Sequence, residues 1–592
     1  MQLNRTNRTI LLLELVIPIV LLILGIYNGL LQSLYRAGII QSNSFLGIDY
    51  YQGMTMHGVI NAIVLTTFFA VAFGNAVISY YLRKELNPVA NMLSFGLMMV
   101  GVLLASWAML TNNADVLYTF YAPLKAHPAF YIGLVLAVVG SWVAFFNWIK
   151  PYLSWRKENK GQKTPLAVVG ILATFIMWFI ATLPVAVQLI FFMIPWSMGW
   201  IAEINVMLTR VLFWFFGHPL VYFWLLPIYT MYYAMLPKIA GGKLFSDFAG
   251  RLTFMLFIVL SIPVGLHHQF SEPSIDQGLK LLHALLTFGV ALPSFITAFT
   301  IAASLEHAGI NNGAKSLMGW TKKLPYFDRD NHLFAYMICG LFIFVIGGVT
   351  GIVNASYGMN LVVHNTAYVP GHFHMTVAGP VFLGIIGMSL HMLHKLTGKP
   401  IQWPGWNVAV PYLWMFGLVF LSFGMMAGGI LGEPRRTNMG LTFMNPDSHM
   451  FRPDWILTTF LTALGGIIMT ISMIFYFIVF FKTLFAKKVE EPSISFPTAE
   501  AYHDENIGFV QKFTPWIIIA VIIIAFAYYG PIKQAIENPS EKSPPFLPES
   551  PVPQQLKERH QEESYLLPEI YVPEETPGSK GFYREETSNI KG

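Results

Sequence analysis

The chain has 592 residues, of which 55% are hydrophobic and only 11% charged. Soluble domains carry roughly 25% charged residues, so a water-soluble globular body is excluded and a polytopic membrane protein is expected. The net charge of +5 sits in loops between apolar runs, where membrane topology accounts for it, and it gives no reason to expect nucleic acid.

About thirteen apolar runs are long enough to cross a bilayer as helices. They lie near residues 10–31, 54–82, 89–110, 127–149, 166–190, 204–236, 251–270, 280–305, 333–353, 370–394, 409–431, 458–485 and 514–530. The first follows MQLNRTNRTI, is about 20 residues long and has no small-residue cleavage site behind it, so it reads as a span and not as a signal peptide. Lys and Arg concentrate on one side. Arg5, Arg8, Arg83-Lys84, Lys150 to Lys163, Lys238 to Arg251, Lys315 to Arg329, Lys395, Lys399 and Lys482 to Lys512 give about 22 positive residues there, against about 6 on the other side, the C-terminal tail excluded. The positive side faces the cytoplasm, so the N-terminus is expected inside and thirteen crossings put the C-terminus outside. Residues 1–530 then form the transmembrane domain. Residues 531–592 are of different material, rich in Pro, Glu, Ser and Lys, and read as an extended extracytoplasmic tail suited to lying on a partner. No internal repeat is found. The single cysteine, Cys339, excludes an internal disulfide framework, a CxxC site and a two-cysteine binuclear copper centre within this chain.

Ionisable residues at membrane depth are functional hypotheses by default, and six histidines stand out. His57 lies just within the outer entrance of the second run. His218, in Gly217-His218-Pro219-Leu220-Val221-Tyr222, lies about a third of the way down the sixth. His267 and His268 lie at the outer end of the seventh, and His372 and His374 at the outer start of the tenth. All six fall in the outer half of the membrane, a coherence that unrelated histidines would not show. On a helix His372 and His374 are about 200° apart, so they serve different metals on either side of Phe373. The adjacent pair His267-His268 can reach one small metal together, with His218 as a third imidazole; imidazole suits copper, iron and zinc. Tyr222 is one turn from His218 on the same face, where its phenol is placed to give a proton and an electron. His127, His283, His307, His332, His391 and His394 read as ordinary packing residues.

GHPLVYFWLLP, LHHQF and VPGHFHMTVAGP resemble the most specific signatures of subunit I of the heme–copper oxygen reductases, and the likeness spans nearly all of the transmembrane region. The resemblance implies that His57 and His374 are axial ligands of a low-spin heme, expected to be b-type. It implies that His372 is the proximal ligand of a high-spin heme, expected to be a-type, and that His218, His267 and His268 hold copper B. Tyr222 is then the tyrosine cross-linked to His218. Arg435 and Arg436 are natural partners of heme propionates, since guanidinium forks suit carboxylates, and His364 and Asn360 are similar to residues beside the high-spin heme's propionate. Tyr222, Tyr229 and Tyr233 share one helix face and, with Thr287, Ser294 and Thr297 on the eighth run, are assigned by the resemblance to a proton path.

Where the mitochondrial-like branch usually has Glu, this chain has Leu220, which with the thirteen runs points to the B-type branch and a single proton channel. The implied activity is four-electron reduction of O₂ to water in a prokaryotic plasma membrane, with protons drawn from the cytoplasm. Electrons are expected from cytochrome c through a partner subunit II carrying a binuclear copper site; small single-helix subunits and lipid are further expected partners. A quinol donor is the alternative. A nitric oxide reductase would keep the six histidines, but Tyr222 and the apolar Leu220 speak against it. A proton-relaying transporter would show no visible chromophore, and a heme-bearing anchor subunit would not need the three-histidine set.

Overall fold

In the computed structural model the structure describes residues 1–537 apart from 43, 273 and 274. Apart from a two-stranded hairpin at Ser44–Phe45 and Ile48–Asp49, its regular elements are helices. Thirteen long helices follow the chain: α1 Arg5–Arg36, α2 Tyr50–Leu82, α3 Pro88–Leu110, α4 Pro128–Glu158, α5 Leu166–Ser197, α6 Val206–Ala234, α7 Asp247–Leu260, α8 Gln277–Asn311, α9 His332–Ala355, α10 Tyr368–Thr397, α11 Pro404–Ile430, α12 Pro453–Leu484 and α13 Phe513–Glu537. Among the described residues, 12 of these are long and apolar enough to cross a membrane. The exception is α7. Pro263 cannot continue a helix, so the regular α-helix stops after 14 residues, about 21 Å at 1.5 Å per residue, and the chain goes on through a 3-10 turn, Gly265–Gln269. The seventh apolar run is thus shorter as a helix than its hydropathy implies, and its last turn carries His267 and His268.

Apolar side chains point both ways in this fold. Leu93, Leu103, Phe295, Phe299, Ile522 and Phe526 are exposed on outer faces, as expected where lipid replaces water and hydrophobicity no longer sorts inside from outside. Helix pairs therefore pack through small residues. A side chain at Gly101 would meet the Gly133 carbonyl at 2.5 Å where α3 crosses α4, and one at Gly417 would meet the Gly465 carbonyl at 2.9 Å where α11 crosses α12. Helices α2 and α6, buried almost throughout, occupy the centre, and they carry His57 and His218.

Two helices change pitch at the site. Helix α2 has a π turn at Ile60–Val64 directly after His57, and α10 turns from α to π at His374. Such bulges re-aim side chains within a helix and cluster at functional sites. Helix α13 runs to Glu537, so residues 531–537, expected in the tail, continue the last helix. The rest of that expected tail lies outside the described residues.

Candidate functional site

The six histidines line one cavity of about 550 Å³. His57 and His374 stand nearly parallel across it, ring centroids 6.2 Å apart and planes 18° apart. Two metal–nitrogen bonds of about 2 Å each plus the two ring radii span that length. Each ring is oriented by a backbone carbonyl: His57 Nδ1–H donates to Gly25 O at 2.8 Å and His374 Nδ1–H to Pro370 O at 2.7 Å. A carbonyl only accepts, so Nδ1 holds the proton and Nε2 is left for a metal. A side chain at Gly29 would lie 2.7 Å from the His57 ring, so glycine is what lets α1 approach this face.

His372 projects from the other side of Phe373. Thr350 donates its hydroxyl to Gly347 O at 2.7 Å and so presents a lone pair to His372 Nδ1–H at 2.9 Å, which again leaves Nε2 free. Facing it, His218, His267 and His268 bring ligand nitrogens within 4.8 Å of one another. His218 Nδ1 is 3.3 Å from His268 Nε2, a spacing that one ion about 2 Å from each can bridge. The Thr287 hydroxyl donates to His283 O at 2.6 Å and accepts from His267 Nδ1–H at 3.0 Å. His218 Nε2 is buried without a partner, and the Tyr222 ring lies 4.9 Å away, centroid to centroid. The three-imidazole donor set suits copper, and its orphaned nitrogen fits a residue that makes a second attachment.

At the outer rim Arg435, Arg436, His364 and Asn360 line the same cavity. Asn360 Oδ1 accepts from His364 Nδ1–H at 3.0 Å, and Asn360 Nδ2 donates to Asn354 O at 2.7 Å. Arg435 Nη2 donates to Asn365 Oδ1 at 3.0 Å, while its buried Nε has no partner. Arg436 Nη1 donates to the Tyr121 hydroxyl at 2.8 Å. Burial, then Arg435 and Arg436, hold His364 down at about 4. Burial and the neighbouring Arg436 lower Arg435 to about 10, so it stays charged at neutral pH. Burial pushes the Tyr121 phenol up, but Arg436 and Arg435 outweigh it and the net shift is downward. The rim is thus a concentration of positive charge awaiting carboxylates.

Two separate hydroxyl pairings join residues expected along a proton path. Tyr229 donates to Ser294 Oγ at 3.1 Å; Tyr233 donates to Thr297 Oγ1 at 2.9 Å and sits 3.0 Å from Thr253 Oγ1. Thr287, seven residues before Ser294 on α8, bonds separately to His267 and to His283 O. Of the histidines read as packing residues, His283 lies 3.0 Å from Ala527 O, His391 3.1 Å from Ser495 O and His394 2.6 Å from Lys399 O, all outside the cavity lining.

Sequence reasoning missed several contributors. Thr350 and Thr287 orient metal-facing rings, and Thr287 had been placed only on the path. Trp214 stacks on His268 at 3.9 Å and 13°. Tyr118 stacks on Phe373 at 5.8 Å. Tyr121 takes the Arg436 hydrogen bond from a loop more than 300 residues away. Arg36, at the end of α1, also lines the cavity. Nothing in local spacing marks them; only Arg36, a cation at the end of an apolar run, offered a signal.

A many-helix membrane protein with two imidazole pockets and a three-imidazole cluster around one cavity belongs to the class of membrane metallo-redox proteins. Comparison with known proteins gives the family. Residues 9–468 match the family of Cytochrome C and Quinol oxidase polypeptide I. Cytochrome c oxidase subunit 1 of Thermus thermophilus is 40% identical over 501 residues, 82% of this chain and 86% of that one. A probable quinol oxidase subunit 1 of Staphylococcus epidermidis is 27% identical over 460 residues, 74% of this chain and 64% of that one. A heme–copper terminal oxidase dimer solved by cryo-electron microscopy superposes with a TM-score of 0.91 at 48% identity, covering 95% of this chain and 98% of that one. The chain belongs to this family: it is a heme–copper oxidase subunit I, a multi-pass membrane enzyme of the cytochrome c oxidase kind.

Proposed function

We propose that this subunit carries out the four-electron reduction of O₂ to water as a terminal respiratory oxidase of the B-type branch in a prokaryotic plasma membrane. The observation that carries the reading is the three-imidazole cluster with Tyr222 beside His218, set across one cavity from His372. His57 and His374 hold the low-spin heme, b-type in this reading. His372 holds the high-spin heme, a-type in this reading, and His218, His267 and His268 hold copper B. When bound, these groups supply the electron transfer and the oxygen chemistry.

The chain's own residues do the rest. Tyr222 supplies a proton and an electron as the O–O bond breaks, and His218 Nε2, buried and unpartnered, is the atom left for its bond to Tyr222. Arg435, Arg436, His364 and Asn360 take the propionates. Tyr233, Thr297, Tyr229, Ser294 and Thr287 pass protons from the N-terminal side of the bundle, which we assign to the cytoplasm. Protons taken from one face to meet electrons from the other move charge across the bilayer, worth about 2.3 kcal/mol per unit charge per 100 mV. The electron donor is cytochrome c, acting through a subunit II that carries the binuclear copper site, which this chain, with Cys339 as its single cysteine, cannot build. Small single-helix subunits complete the assembly. The helical residues 1–537 form the catalytic domain, and the residues that follow serve an outer partner.

Pyridine hemochrome analysis, metal analysis and a carbon monoxide difference spectrum of the purified oxidase test this reading. Two hemes and one copper per subunit, with one heme binding carbon monoxide, are expected. Non-heme iron in place of copper would make the protein a nitric oxide reductase, and turnover with quinol but not cytochrome c would replace the donor.

A further inference from the structure

The loop after α11 carries Arg435 and Arg436 to the cavity rim, and its conformation is costly. Arg436 sits at φ 60°, in the left-handed region that a side-chain-bearing residue occupies only where its surroundings over-determine it. A dense set of ties does so. Arg435 N donates to Asn365 O at 3.0 Å, Ala367 N to Glu433 O at 2.7 Å and Glu433 N to Gly428 O at 2.8 Å. Thr366 bridges Pro434 as a single antiparallel rung, and Tyr50 donates to Thr437 O at 3.1 Å.

A further tie is ionic. Arg36 Nη2 meets Glu433 Oε1 at 2.6 Å and also donates to Pro434 O at 3.0 Å. The two side chains are 9% and 2% exposed. Desolvating both charges leaves a buried pair little net stability, so such a pair is better explained by the geometry it enforces. Here it ties the end of α1 to the residues directly before Arg435. Helix α1 also supplies Gly25, which orients His57. One helix therefore registers both an axial imidazole and the arginine loop.

We propose that the Arg36–Glu433 pair is a clamp that positions Arg435 and Arg436 over the low-spin heme carboxylates and, through those arginines, sets the heme's reduction potential. The proposal rests on the proposed assignment of His57 and His374 to that heme and of the two arginines to heme propionates, and adds that theirs are the low-spin heme's. Reduction adds one electron, so cations held close favour the ferrous form, and releasing the loop lowers the potential.

The test is a spectroelectrochemical titration of the low-spin heme in the complete oxidase. Charge counting alone predicts that E433A, which deletes a negative charge, raises the potential. The clamp predicts a fall, in the same direction as R436Q, and no further fall when E433A and R436Q are combined. A rise or no change in E433A while R436Q falls overturns the clamp and leaves the propionate assignment standing. An unchanged potential in R436Q overturns that assignment instead. Should E433A fail to assemble, R36M/E433L replaces the pair with apolar volume at no change in net charge. The clamp still predicts a fall there, whereas independent charges predict none, and that null result would refute it.

Discussion

Thr287→Val removes one oxygen from beneath His267 while keeping the branched shape. In the parent, the hydroxyl donates to His283 O at 2.6 Å and accepts from His267 Nδ1–H at 3.0 Å. Valine leaves the His267 N–H unpaired and the ring free to rotate or change tautomer, which offers Nδ1 instead of Nε2 to the ion. Loss of such an outer hydrogen bond typically costs 10–100-fold in metal affinity, which is about 1.4 to 2.8 kcal/mol. Copper content measured against a graded chelator series should shift by that factor, with both heme spectra retained because His57, His372 and His374 are oriented by Gly25, Thr350 and Pro370. Copper retention equal to the parent would show that the hydroxyl does not orient the ligand. Loss of a heme would place Thr287 in the wrong site.

Tyr222→Phe should keep both hemes and most of the copper while oxygen consumption falls at least about 10²-fold, the low end for a lost proton donor; normal turnover would remove the phenol from the mechanism. His57→Ala should lose the low-spin heme alone, and a retained low-spin spectrum would mean that another residue is the ligand. Tyr233→Phe breaks the link between Thr253 and Thr297 and should slow turnover about 10²-fold with unchanged heme and copper content; an unchanged rate would exclude this hydroxyl series as the route. Gly101→Val forces a branched side chain against the Gly133 carbonyl, 2.5 Å from the first added carbon. It should cost about 1–3 kcal/mol and lower the thermal midpoint without altering the spectra.

What was legible in the sequence depended on how far each signal reached along the chain. The spans followed from apolar runs, since every backbone group in a bilayer must be satisfied within a helix. The six histidines followed from depth, because the topology read from the runs puts all of them in the same half of the membrane. Tyr222 and His218 followed from one helical turn. The failures share a cause. The truncation of α7 is dictated by Pro263, a single residue that leaves the hydropathy almost unchanged. The π turns after His57 and at His374 shift register without altering composition. Tyr121 and Glu433 belong to loops, and their partners, Arg436 and Arg36, lie 315 and 397 residues away. No periodicity connects such pairs, so tertiary contact alone reveals them.

The way four of the six imidazoles are held divides the site in two. His57 and His374 donate to backbone carbonyls, Gly25 and Pro370. A carbonyl fixes a ring but cannot hand on a proton. His267 and His372 donate to threonine hydroxyls, Thr287 and Thr350, and a hydroxyl can both accept and release one. In the proposed assignment the carbonyl-held pair serves a heme that only passes electrons, and the hydroxyl-held residues serve the oxygen site, where each electron must be matched by a proton. Thr287 stands at both ends of this logic, fixing the His267 tautomer and, in the proposed assignment, delivering protons to the oxygen site. Thr287→Ser, which keeps the hydroxyl and loses only the methyl, should therefore restore both copper affinity and turnover relative to valine. Restoration of one without the other would show that the two roles are separable.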